Sequence, residues 1–193
     1  MGDILLGPQP TMDYSKFLTL PDSDNIRIKN VIKQKLLANS DILYLLNAKE
    51  EYLDPSDYFN KYIFPYLIIE DSNPNVNNYI CYETSFSEIP NTNKVIKNMQ
   101  IYFYIYFNKS DAIHSESGIA RHDLVAALIE RDINWSEAFG CKCKLVSNRP
   151  STTDLNYATR TLVFESDMPN GISKTDMKTG LSYFCNDQPD DEW

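Results

Sequence analysis

The stretch NMQIYFYIYFNKS, residues 98–110, constrains the fold more than any other part of the chain. A strand sends successive side chains to opposite faces, so Ile101, Phe103, Ile105 and Phe107 point one way and Tyr102, Tyr104 and Tyr106 point the other. β-branched and aromatic residues suit a pleated surface, and a strand rich in them on both faces needs two covers. NYICYETSF, residues 78–86, alternates in the same manner, and the connecting SEIPNTNKVIKN reads as a hairpin connection, so the two strands pair antiparallel.

Helices supply at least one cover. In GIARHDLVAALIERDINWSEAFGCKCKL, residues 118–145, the residues Leu124, Val125, Leu128 and Ile129 make an apolar stripe bracketed by Gly118 and Gly140, which predicts a helix lying on the sheet. Earlier, Ile28, Ile32 and Leu36 recur at i+4 with Val31 beside them, and Asp22, Ser23 or Asp24 can cap the helix start. Ile42, Leu43, Leu45 and Leu46 continue after Asn39-Ser40-Asp41, where a helical hairpin and one kinked helix fit equally well. YIFPYLIIE, residues 62–70, contains Pro65 and predicts an edge strand or an extended lead into one. CKCKLVSN and ATRTLVFES read as two further strands joined by the turn-rich RPSTTDLNY. Hairpin-linked strands with helices set apart from strict alternation give an α+β class, an antiparallel sheet with helices on one face.

A chain of 193 residues is most economically one domain, able to bury about 70% of its unfolded surface. The expected division is an extended N-terminal arm over residues 1–23, a domain over 24–166, and an acidic C-terminal tail over 167–193.

Charge and motif content narrow the function. A formal charge of -9 opposes a grip on phosphates and adhesion to an anionic membrane. The opening residues MGDILLGPQP lack the basic start and apolar run of a signal peptide, no segment approaches the ~18 apolar residues of a membrane span, and Leu6 stands where a myristoylation motif wants Ser or Thr. The expectation is a chain made in the cytosol. Four cysteines are too few for a disulfide scaffold in so long a chain and predict free thiols.

Cys141 and Cys143, spaced i, i+2, would face one side of a strand, and with His122 or Cys185 they could complete a zinc site. The spacing is not CxxC, so small buried side chains are expected instead. His122 beside Asp123 could be an oriented base with Ser115 or Ser117 as its nucleophile, but capping and first-turn charge explain these residues better. The glycines form neither GxGxxG nor a phosphate-binding loop. No catalytic residue, cofactor site or metal ligand is therefore expected. The tyrosine face, Tyr102, Tyr104 and Tyr106, stays open between burial under the chain's own helices and a subunit interface.

The order of elements over residues 24–166, with RHDLVAALI in the helix and RTLVFE in the final strand, resembles the tail-completion or tail-terminator (head–tail connector) proteins of tailed bacteriophages. The resemblance implies a domain of helices on a sheet whose copies form a hexameric ring at the top of the tail. Such a ring terminates the tail tube and joins it to the neck. It further implies tail tube and neck proteins as partners, possibly sheath, and residence in the virion after assembly in the host bacterial cytoplasm. DNA would pass the lumen without specific binding, which suits an acidic chain. The alternative is a cytosolic enzyme or small-ligand-binding module whose site comes together only in three dimensions.

Overall fold

The computed structural model describes residues 24–46, 54–67, 78–88, 96–151 and 156–169. The expected arm, and the expected tail beyond residue 169, lie outside the described residues. Among those described, three helices and five strands are present: α1 (Asp24–Ala38), α2 (Ser40–Leu46), β1 (Ile63–Phe64), β2 (Asn78–Glu88), β3 (Ile96–Asn108), α3 (Arg121–Ile133), β4 (Lys144–Ser151) and β5 (Tyr157–Pro169). The strands form one sheet in the order β1-β2-β3-β5-β4. The class is α+β.

The doubly apolar stretch is the middle strand, β3, as its need for cover on both faces demands. Antiparallel ladders flank it, running from Asn78↔Phe107 to Glu88↔Lys97 on one side and from Ile96↔Pro169 to Asn108↔Tyr157 on the other. Met99, Ile101, Phe103, Ile105 and Phe107 are each 0% exposed. Helices α1 and α3 lie over that face. Tyr82, opposite Phe103, donates its hydroxyl to the Lys29 carbonyl of α1 at 3.2 Å. Arg160, opposite Ile105, donates from Nε to Asp123 Oδ1 of α3 at 2.6 Å. Ile28, Ile32 and Leu36 of α1 join Val125, Ala126, Ile129 and Ile133 of α3 in one core with the strand.

Several expectations shift. The α3 stripe is Val125, Ala126, Ile129 and Ile133, while Leu124 and Leu128 are only partly buried. The i, i+4, i+8 row centres the contact, and its i−1 neighbours fall at the flank. The choice between hairpin and kink resolves as a break at Asn39, whose Oδ1 accepts from the Asp41 and Ile42 amides at 3.1 and 3.2 Å and so caps α2.

The sheet is mixed rather than purely antiparallel. β1 is two residues long, stops at Pro65, and pairs parallel with β2 through Ile63↔Ile80 and Phe64↔Cys81. Proline has no N–H for the ladder. The 13 residues between Phe64 and Asn78 are long enough for the crossover a parallel pair needs.

Cys141 and Cys143 precede β4 instead of lying on it. The Cys143 carbonyl accepts from the Trp135 amide at 2.6 Å, and the Cys143 amide donates to the Ser136 carbonyl at 3.4 Å. That backbone is committed to the end of α3, so pairing with β5 begins at Lys144↔Glu165. β4 then continues through Arg149 and Pro150 to Ser151, into residues the sequence reads as turn. Proline is tolerated there because β4 is the outermost strand. β5 runs to Pro169, past the expected domain edge at residue 166.

Candidate self-association surface

Tyr102, Tyr104 and Tyr106 occupy the sheet face opposite α1 and α3, and all three are half-buried. The ladders fix their neighbours. On β2 they face Glu83, Cys81 and Tyr79 in turn, and on β5 they face Val163, Thr161 and Thr159.

The three are not equivalent. Tyr106 stacks on buried Tyr79 with ring centroids 4.6 Å apart and 15° between planes. Tyr157 meets both edge-on, at 6.2 and 5.8 Å, and Phe64 approaches Tyr79 edge-on at 6.2 Å. Edge-to-face and offset contacts of this kind add stabilisation beyond area burial. Tyr106 therefore belongs to an aromatic cluster at the β1 end of the face. Tyr102 and Tyr104 lie further along, nearly parallel to each other at 6.3 Å and 10°. Burial raises the Tyr104 phenol above its ordinary value, with Tyr102 and Glu83 adding to the shift, so it stays protonated and a hydrogen-bond donor at neutral pH. Tyr102 donates its hydroxyl to Gln100 Oε1. Flat aromatic bodies with polar tips are the composition enriched at subunit interfaces.

The other sequence-derived candidates separate in space. His122 reaches Asp123 through Nε2 at 3.3 Å, but Ser117 bonds His114 instead, its Oγ 3.1 Å from Nδ1 in an exposed loop. Burial pulls His122 below its usual value, Asp123 pushes it up and Arg160 pulls it down. His122 lies in the first turn of α3 and Cys141 follows its end, so nearly the whole length of that 13-residue helix, about 20 Å, stands between them. Cys185 lies outside the described residues. Among those described, no three His, Cys, Asp or Glu side chains come together to hold a metal ion, and no helix is long and apolar enough to cross a membrane. A shallow depression of about 480 Å³ is lined by Lys35, Asn39, Asp41, Arg131 and Asp132. Asp132 is the shared acceptor there: Asn39 Nδ2 donates to its Oδ2 at 2.5 Å, Arg131 Nε to its Oδ1 at 3.0 Å, and Lys35 Nζ to its carbonyl at 3.1 Å.

A polar cluster the sequence reading missed sits where the sheet meets α3. Asp111 Oδ2 accepts from Arg121 Nη1 at 3.1 Å and from Asn78 Nδ2 at 2.9 Å, while Asn78 Oδ1 accepts from the Asn108 amide at 3.2 Å. The Arg121 and Asp111 side chains are 8% and 11% exposed. A signal was present: an arginine at the first helical position opposes the helix dipole, so its presence there asks for a carboxylate partner.

A family model named YomW matches residues 39–166, well over half of the chain. A search of curated proteins returned no match. The chain belongs to the YomW family, whose name is of the type given to a Bacillus phage region and suggests a phage-derived protein.

Proposed function

We propose that this chain is a structural protein of a tailed phage or phage-tail-like particle. Its copies close into a ring at the top of the tail, terminate the tail tube and join it to the neck, without catalysing a reaction. The observation that carries this reading is the second sheet face, where Tyr102 and Tyr104 present a flat aromatic surface on the side away from α1 and α3. The phage-type family name, matched over residues 39–166, and the element order over residues 24–166 support it. A closed ring needs two different patches that meet. The tyrosine face is one, and the arm and tail at the two ends of the chain are candidates for the other. The formal charge of -9 suits a lumen that lets DNA pass unheld.

Deleting the gene from the phage tests the reading. The expected result is particles whose tails have uncontrolled length or fail to join heads, restored by the wild-type chain and poorly by a Tyr102→Ala, Tyr104→Ala double variant. Normal, head-joined tails without the protein would reject the structural role and favour the enzyme or ligand-module alternative.

A further inference from the structure

Trp135 stands at the start of the sheet's outermost strand in a setting that folding alone does not favour. It follows Asn134, which caps the end of α3, and takes φ 60°, the left-handed conformation in which glycine usually closes a helix. A bulky residue is strained there. The Trp135 amide donates to the Cys143 carbonyl at 2.6 Å, and Asn134 Oδ1 accepts from the Leu145 amide at 2.9 Å. These bonds fix Trp135 beside β4, yet its side chain is 64% exposed. Strain imposed by surrounding bonds on an exposed aromatic points to a function.

β4 supplies the rest of a surface. It is the outermost strand of the described sheet, and an outermost strand leaves alternate N–H and C=O groups without a ladder partner. The Asn134 bond and Pro150 limit the open stretch to Val146–Arg149. A lysine, a bulge and a proline protect an edge from indiscriminate pairing, and β4 has all three, with the bulge between Leu145 and Ser147. Protection does not account for Trp135, or for Val146 at 43% exposed. Nor does it account for the charge. Lys144 and Arg149 are exposed, and among the described residues neither pairs with a carboxylate: Glu165, opposite Lys144, accepts from Asn98, and Arg149 Nε donates to Ser147 Oγ. Nearby Glu137 and Glu130 are taken by Lys142 and Asn148.

We propose that Trp135 and the β4 edge dock residues 181–192 of a second copy of this chain. That segment, LSYFCNDQPDDE, carries the complementary chemistry. Leu181–Asn186 adds a short strand along Val146–Arg149, held by main-chain bonds, with Tyr183 and Phe184 against the indole. Asp187, Asp190, Asp191 and Glu192 then lie toward Lys144 and Arg149. The chain leaves β5 at Pro169, and residues 170–180 can span roughly 35 Å, enough to reach a neighbour. An edge and a tail are two different patches, so a segment passed from copy to copy is the heterologous contact that a ring requires. The inference rests on the reading of this chain as a self-associating structural protein, and adds a second contact to the tyrosine face.

The test uses the chain's own fluorescence. Trp135 and Trp193 are its tryptophans, so the full-length Trp193→Phe variant reports on Trp135 alone. A synthetic peptide of residues 180–192 is titrated into dilute protein under reducing conditions, up to about 1 mM, the weak end of specific binding. The expected result is a saturable shift of Trp135 emission to shorter wavelength with loss of acrylamide quenching. A Lys144→Glu, Arg149→Glu double variant should bind about tenfold more weakly, and a peptide of the same composition in scrambled order should leave the emission unchanged. No shift, an equal response to the scrambled peptide, undiminished binding by the double variant, or an indole already shielded in dilute protein by the chain's own tail would each overturn the proposal. A tail-top ring whose β4 edges stand empty would reject this contact and leave the ring reading intact, whereas peptide binding by a chain absent from the tail would reject the ring alone.

Discussion

Tyr106 lies face to face with Tyr79, ring centroids 4.6 Å apart. On the sheet face away from α1 and α3, Tyr106 and Tyr104 are both packed against the chain's own core, and Tyr102 lies outside it. Truncating Tyr106 to Ala removes that stack and the edge contact to Tyr157, and should cost about 2–3 kcal/mol, below the ~3–5 kcal/mol of a fully buried aromatic. Tyr102→Ala should cost less than about 1 kcal/mol in the isolated chain, because it lies outside the core cluster. Urea denaturation of both variants checks the ordering. Equal costs would remove the distinction between the two residues.

The Asp111–Arg121 pair fastens the turn after β3 to the start of α3. Asp111→Ala leaves a buried guanidinium without its carboxylate and should destabilise the fold by about 3–5 kcal/mol, as breaking a buried pair does. Thermal or urea unfolding measures it. A loss below about 1 kcal/mol would mean that solvent reaches Arg121.

Helix α3 offers a comparison of two adjacent residues. Ile129 is 0% exposed, whereas Leu128 is partly buried beside the core. Ile129→Ala should cost about 2–5 kcal/mol, and Leu128→Ala clearly less. The reverse order in denaturant midpoints would rotate the helix from its described setting.

Asp24 gives a pH signature. Burial alone would raise its carboxyl, but hydrogen bonds and charge from Lys97 and Arg27 outweigh it and hold the carboxyl below its ordinary value of 3.8. A depressed carboxyl stabilises the fold above its unfolded-state value and loses that contribution as pH falls through the folded one. The stability gap between wild type and Asp24→Asn should therefore be level near neutrality and close as pH drops below about 4. A gap that widens in acid would assign the pairing the wrong sign.

The fold was legible where periodicity was strong, in the alternation of residues 98–108 and the i+4 row of α1. It was illegible where long-range contacts override a local pattern. Pro65 marks an edge strand but says nothing of its direction, and the parallel pairing of Ile63 with Ile80 depends on a crossover. Cys141 and Cys143 lie on a run that reads as strand, yet the segment that follows α3 claims the Cys143 backbone first. Of the candidate surface, alternation placed the three tyrosines on one face. It carried no sign that Tyr79 would claim Tyr106 and leave Tyr102 and Tyr104 paired with each other, because that follows from ladder register.

Electron cryo-microscopy of the assembled tail tests ring formation most directly, by showing what lies against Tyr102 and Tyr104 in each copy. The predicted result is a closed ring at the top of the tail in which a neighbouring copy covers both rings. A density map with copies standing apart and those rings facing solvent, or with no copies at the tail top, would contradict it.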